Sequence, residues 1–392
     1  MTITTVLVVV ASLACSAALA LGVIEVTLRR WVRERHDEGL SDRATFTKHG
    51  RFGLGSWTLS AEDAAMRDSG FSPTHWAEMK EYLEMKPKLG FSQVSSKDTR
   101  LVYSLRGYDF DGLEFSVKDG RRTTTDQPAE ARNQILCVGG STTFCLEMSD
   151  QNTWPSKLQR RVNHMGSSHI VHNLGIPGAP GLDRIAFLRN QIQLKQGDIA
   201  VFLFGDNDSG YIQWQPKLGR VQDGFPRLAK RILNKLEYEY SRGVLVAGWL
   251  QREITLPYLR RAAKATAMQT QTVAEELMTW ASSCGATVIF VLQPNLMTLK
   301  TPDHWDRQVL ASTAQDLFPM LEVAYRMYRV WITENSNVVS ASHIFDGEKP
   351  SPYMGDWSHV NTRGNELIAD FVFRELGNRE LLERSDDSER VD

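Results

Sequence analysis

The sequence predicts an α/β protein: a parallel sheet covered by helices on both faces, preceded by one helix long enough to cross a membrane. Three observations carry this. From Asn133 onward, short apolar runs alternate with amphipathic stretches. One of those runs, Ile199–Phe204, is six consecutive apolar residues, which suits a strand buried on both faces. At the other end of the chain, Ile3 to Ile24 holds 22 residues without a charge. At about 1.5 Å per residue that covers a hydrocarbon core of about 30 Å.

Taken in order, residues 1–27 read as an uncleaved single-pass anchor. A secretory signal is the competing reading, because Ala18-Leu19-Ala20 resembles a small-x-small cleavage site. Against it, the apolar run exceeds a usual signal core and Met1-Thr2 supplies no charged start. Ser12-Leu13-Ala14-Cys15 matches a lipobox only loosely. Arg29, Arg30, Arg33 and Arg35 follow the run, and the positive-inside bias taken alone puts the bulk of the chain in the cytoplasm. Glu25 can pair with Arg29 one helical turn on, a contribution of ~0.3 kcal/mol.

Residues 28–132 form an extension and linker. Pro73–Met85 predicts a helix, with Pro73 in its first turn and Trp76, Met79, Tyr82 and Leu83 on one face. Leu101–Leu105 predicts a short strand, and the polar Arg121–Arg132 a linker. The main domain spans 133–376. Its strands are Gln134–Val138, His169–His172, Ile199–Phe204, Thr287–Leu292 and Val338–Ser340. Its helices are Trp154–Val162, Leu182–Ile192, Thr270–Ser282, Ala314–Ile332 and Asn361–Leu376. Residues 377–392 make an acidic tail. An insert at 208–264 carries eleven Lys/Arg against five Asp/Glu, interspersed with Trp214, Tyr238, Tyr240, Trp249 and Tyr258. It reads either as a lid for an anionic glycan or membrane surface, or as a solvated cap with its own small core.

Composition excludes several classes. A formal net charge of −2 over 392 residues provides no bulk field for nucleic acid. The four cysteines, Cys15, Cys137, Cys145 and Cys284, make neither a disulfide framework nor a zinc pattern. Cys137 and Cys145 read as packing residues. His169 and His172 point to opposite faces of a strand and make a poor metal pair. Asp303-His304-Trp305-Asp306 reads as an exposed loop. No metal or organic cofactor is expected.

The chemistry lies in three motifs at strand ends. Gly139-Gly140-Ser141-Thr142-Thr143 offers a serine at a strand-to-helix turn, where its hydroxyl is exposed and its N–H meets the positive end of a helix. A serine hydroxyl needs a base, and Asp356-Trp357-Ser358-His359 supplies one: His359, oriented by Asp356 three residues earlier. An oxyanion needs donors. Asn207 in Gly205-Asp206-Asn207-Asp208, the Ser141 amide and Gly178 at the end of Asn173–Gly178 are the candidates. Each motif alone also reads as ordinary turn or cap chemistry.

Together, in this order, they resemble the SGNH (GDSL-like) hydrolase family over roughly Asn133 to Leu376. The Gly-Gly-Ser-Thr-Thr form looks like a bacterial, membrane-anchored branch of it. The resemblance implies a flavodoxin-like three-layer α/β/α fold and esterase, lipase or acyltransferase chemistry. By it, Ser141 is nucleophile, His359 base and Asp356 its orienter, with Ser141, Gly178 and Asn207 lining the oxyanion hole. Many members place Asp before the nucleophile, where this chain has Gly140. The expected activity is hydrolysis of an ester, with an O-acyl or O-acetyl group on a carbohydrate or envelope glycan favoured. Acyl transfer from the same site, or an inactive glycan-binding or scaffolding role, are the alternatives. The catalytic domain is expected outside the cytoplasm, with the membrane contacted through residues 3–24.

Overall fold

The computed structural model of the chain describes residues 3–37, 61–89, 109–209, 231–232, 235–236, 238–239, 242–312 and 317–382. The expected strand at Leu101–Leu105, residues 210–230 of the 208–264 insert and residues 383–392 of the tail lie outside these.

Eight strands form one sheet: β1 (Phe110–Asp111), β2 (Ser116–Lys118), β3 (Arg121–Arg122), β4 (Asn133–Gly139), β5 (His169–Gly175), β6 (Ile199–Phe204), β7 (Thr287–Leu292) and β8 (Val338–Ser340). Their spatial order is β1-β2-β3-β5-β4-β6-β7-β8. The five strands from β4 onward are mutually parallel, in register Cys137 against Asn173 and Val201, and Phe290 against Phe202 and Val338. The order β5-β4-β6-β7-β8 is that of a doubly wound, flavodoxin-like sheet, whose direction of winding reverses between β4 and β6.

Strand alternation sends neighbouring side chains to opposite faces, and each face has its own core. On one side Ile135, Cys137, Val201, Leu203 and Ile289 pack with helix α5 (Trp154–Met165) and the last helix, α10 (Thr362–Asn378). On the other, Leu136, Val138, Phe202, Phe204 and Phe290 pack with α6 (Gly181–Gln191), α7 (Leu245–Ser283) and α9 (Leu317–Glu334). The protein is thus a three-layer α/β/α structure with a mixed sheet.

The antiparallel edge departs from expectation. Arg121–Arg132 reads as a polar linker, yet Arg121–Arg122 is strand β3, with Arg122 opposite Asn173 of β5. Arg122 is buried because it has partners there. Its Nε donates to Asp150 at 2.7 Å, an Nη donates to the Met148 carbonyl at 2.6 Å, and its guanidinium lies 3.6 Å from the Phe115 ring centre. Helix α3 (Pro73–Leu89) packs on this edge, Tyr82 against Phe110 and Phe115, with Trp76 and Met79 joining the core, to which helix α2 (Ala61–Arg67) adds Ala64. Glu78 of α3 accepts the backbone N–H groups of Leu113, Glu114 and Phe115.

Two further expectations change. Helix α7 begins at Leu245, well before Thr270, and runs 39 residues through Pro257. Asp303-His304-Trp305-Asp306 is not an exposed loop: His304 opens helix α8 (His304–Ser312), Asp306 is buried, and Arg67 stacks 4.9 Å over Trp305. Asp303 and Asp306 cap one another's amides, and turn chemistry of that kind leaves no hydrophobic pattern.

Helix α1 (Ile3–Asp37) contains a 23-residue segment, Val8–Arg30, long and apolar enough to cross a membrane. Glu25 and Arg29 pair at 2.7 Å as expected. They also hold the start of α7: Glu25 accepts the amides of Leu245 and Val246 at 3.1 and 2.6 Å, and Arg29 donates to the Gly243 carbonyl at 2.7 Å. These amides are unpaired donors at a helix start, which a carboxylate satisfies.

Candidate active site

Ser141 follows β4 after a single residue, Gly140, and is the first residue of a one-turn helix, α4 (Ser141–Phe144). Neither preceding glycine could carry a side chain. A Cβ at 139 would collide with Thr143 Oγ1, and one at 140 with Asn207 Nδ2. At Gly140 the space that a side chain would take is filled by the Asn207 amide. The dipole expected behind the Ser141 N–H is small, since four residues sum few peptide dipoles. The turn stops at Cys145, whose φ of 55° is uncommon for a residue with a side chain. Its thiol lies 3.2 Å from Asn365 Oδ1, which also accepts the Trp154 amide at 3.0 Å, tying the serine turn to α5 and α10. Burial pushes this thiol well up, so Cys145 packs, as its position after Ser141 suggests.

Asn207 opens a 3₁₀ turn, Asn207–Ser209, after β6. The turn is braced by Asp208, which accepts Gly205 N–H at 2.7 Å and pairs with the buried Arg184 at 2.6 and 2.7 Å. Tyr328 Oη donates to the Asp208 carbonyl at 2.8 Å. Gly205 has φ +142°, and a Cβ there would meet Tyr325 Oη at 2.7 Å.

His359 and Asp356 form a buried pair. Asp356 Oδ1 accepts the amides of Ser358 and His359 at 2.9 and 2.7 Å, and its Oδ2 lies 2.5 Å from His359 Nδ1. The loop is pinned from behind by α2: Asp68 accepts the Thr362 amide and hydroxyl at 3.1 and 3.0 Å, and Asn361 donates to the Arg67 carbonyl at 2.7 Å. Burial disfavours the imidazolium, but Asp356, Glu147 and Asp206 outweigh it and hold His359 up at about 10. Burial likewise pushes Glu147 up to about 7 and Asp206 up to about 7. His359 therefore sits among three carboxyl groups that together favour its charged form, while burial makes two of them, Glu147 and Asp206, reluctant to ionise.

The motifs converge unequally. A cleft at the reversal point of the sheet is lined by Gly140, Ser141, Thr142, Arg184, Asp206, Asn207, Asp208, Gln293 and Ser358. Ser141 and Asn207 thus line one cleft together with Ser358, whereas His359 and Asp356 are buried beside Ser358 and are not themselves among the lining residues. Gly178 is in the loop after β5 with φ +76°, a conformation suited to glycine, but it is not among the lining residues. Its loop is held to β4 by the Ile176 amide on the Gly139 carbonyl at 2.9 Å. His169 bonds Ser167 at 2.8 Å. Among the described residues no group of three or more His, Cys, Asp or Glu is arranged around a metal position.

Sequence reasoning passed over Gln293, Arg184, Asp206 and Glu147. Gln293 sits just after β7, so its strand-end position was a usable signal, and Thr142 Oγ1 donates to it at 3.1 Å. Arg184 lies mid-helix and Glu147 in a loop, with nothing local to mark either.

No family model matches the chain, and neither does any curated protein sequence. Solved structures resemble it at low identity. One is an acetylxylan esterase of Geobacillus stearothermophilus, crystallised as a catalytic mutant: 13% identity, 63% of this chain and 95% of that one, TM-score 0.37. Another is a carbohydrate acetylesterase of Sinorhizobium meliloti: 12% identity, 63% and 100% covered, TM-score 0.36. A third is a lipase/acylhydrolase of Enterococcus faecalis: 15% identity, 65% and 98% covered, TM-score 0.33.

Proposed function

We propose that the chain is a serine esterase of the SGNH type that removes a short acyl group, acetyl above all, from a carbohydrate or envelope glycan. The observation that carries this reading is the cleft. Ser141 and Asn207 line it together, and Ser358 brings it to the backbone of the buried His359–Asp356 pair. Every described lining residue is polar or glycine, which disfavours a long acyl chain and suits a small one on a hydroxylated alcohol.

In this reading His359 Nε2 takes the Ser141 proton as Oγ attacks the ester carbonyl. The Ser141 amide and Asn207 Nδ2 receive the oxyanion, with Gly178 the third donor that the family resemblance implies. The imidazolium returns its proton to the departing alkoxide. Water then attacks the acyl-serine by the same route, releasing the acid and restoring the hydroxyl. Asp356 holds Nδ1–H, which leaves Nε2 as the basic nitrogen.

Helix α1 anchors the domain to the membrane, on the extracytoplasmic side. Of the arginines that argue otherwise, Arg29 is occupied by Glu25 and the Gly243 carbonyl and is a weaker topological signal than its charge suggests. The test is acetate release from acetylated xylo-oligosaccharides by the full chain in detergent, with and without an acceptor sugar. The proposal expects free acetate from the wild type and none from Ser141→Ala. Acetate appearing only on the acceptor would make the protein a transferase, and activity surviving in Ser141→Ala would end the proposal.

A further inference from the structure

We propose that the cleft contains a hydroxyl-recognition subsite centred on Asp206 Oδ2, by which the protein prefers esters of polyols to esters of simple alcohols. This rests on the esterase reading of the same cleft and names the group that would recognise the alcohol side of the substrate.

Asp206 precedes Asn207 and lines the cleft with Ser141, Gln293 and Ser358. It is only 8% exposed, and its two oxygens are treated differently. Oδ1 accepts Tyr325 Oη at 2.9 Å and Asn295 Nδ2 at 2.7 Å. The Asn295 amide cannot be reversed without loss, because its own Oδ1 accepts the Met297 amide at 2.8 Å. The carboxyl plane is therefore fixed, and Oδ2 has no hydrogen-bond partner among the described residues. Other buried carboxyl groups, Glu147 included, also leave an oxygen without a partner among the described residues, but Asp206 is the one of them that lines the cleft, where a ligand can supply the missing bond.

The neighbouring groups narrow the ligand. Arg184 is the only cation among the lining residues, and it is committed to Asp208 and to the Leu203 carbonyl at 2.9 Å, so an anionic group gains no free positive charge there. Gln293 uses Oε1 to accept Thr142 Oγ1, which leaves its Nε2 as the remaining donor. An acceptor oxygen and an amide donor on two residues that line the same cleft match a hydroxyl, which both donates and accepts. Burial also pushes the Asp206 proton up to about 7, so its acceptor form grows above neutrality, well before His359 loses its own proton at about 10. A polyol ester with a free hydroxyl near the esterified oxygen fits both ends of this arrangement.

The experiment compares glycerol monoacetate with propyl acetate, which share a three-carbon alcohol and differ in hydroxyls. We expect wild-type kcat/KM to favour the glycerol ester about tenfold or more, the usual size of a hydrogen bond to a charged group. In Asp206→Leu the preference should collapse through KM for the glycerol ester, and in Asp206→Asn it should return in part. Equal kcat/KM for the two esters in the wild type, or an equal loss on both in Asp206→Leu, overturns the subsite. The comparison remains decisive even where the leucine variant does not fold, because the wild-type ratio and the near-isosteric asparagine variant suffice. Titrating Ser141→Ala with glycerol monoacetate separates the two levels. Asp206-dependent binding without wild-type turnover would sink the esterase reading and keep the subsite. Turnover without preference would do the reverse.

Discussion

Replacing Glu147 by glutamine should stabilise the protein in alkali and leave it nearly unchanged in acid. Glu147 is buried, and its carboxyl is raised from an ordinary 4.5 to about 7, chiefly by burial. The folded state therefore holds this proton more tightly than the unfolded chain does. As pH rises from 4.5 through 7, the unfolded chain releases its proton first, and folding loses stability across that window. A rise of about 2.5 pH units at 1.36 kcal/mol each amounts to about 3 kcal/mol. That net rise already includes the attraction of His359, which pulls the carboxyl down against the effect of burial. The net expectation at pH 8.5 is a gain of roughly 1–3 kcal/mol for Glu147→Gln, and close to zero at pH 4. Glu147 Oε2 has no hydrogen-bond partner among the described residues, so the amide breaks no bond at that oxygen. Urea unfolding of both proteins in detergent at the two pH values measures the difference directly. A variant no more stable than wild type at pH 8.5, or stabilised equally at both, would refute the argument from charge burial.

Gly140→Asp, which introduces the residue common before such serines, should lower turnover at least tenfold, because its Cβ would displace the Asn207 amide; comparison of kcat with Asn207→Ala checks whether the two losses share a cause. Ester hydrolysis should climb with pH beyond the ordinary imidazole range, since His359 gains its basic form only as pH approaches about 10. In Asp356→Asn that ascending limb should move to lower pH while kcat falls by about 10³–10⁴, both read from a pH–rate profile. Arg184→Met leaves Asp208 buried without its partner and should destabilise the fold by about 3–5 kcal/mol, measured by the shift in urea midpoint.

What could be read from the sequence divides along physical lines. Ile199–Phe204 and Thr287–Leu292 were legible to the residue, because a strand buried on both faces must be apolar throughout. Asp356 and His359 were legible because three residues of separation let a side chain reach back to its neighbour. The antiparallel edge was not legible. A two-residue strand carries no periodicity, and Arg122 is buried by partners at Met148, Asp150 and Phe115 that only the fold brings close. The full length of α7 was hidden for a different reason: Pro257 reads as a helix stop, and tertiary packing of Leu259, Ala263 and Ala267 overrides it. Glu25 was recognised as the partner of Arg29 but not as the cap of a helix 220 residues away. In the site, Ser141 and Asn207 lie in motifs and line one cleft, whereas Gln293, Arg184 and Glu147 belong to no motif and come near these residues only through the fold.

The central claim is that Ser141 is a nucleophile activated by His359. A fluorophosphonate probe incubated with the full chain in detergent, followed by peptide mass mapping, tests it most directly. A nucleophilic Ser141 should carry the single adduct, which is abolished in Ser141→Ala and strongly slowed in His359→Ala at every pH up to about 9. Absence of labelling in the folded wild type, or an adduct on another residue that survives both substitutions, would contradict it.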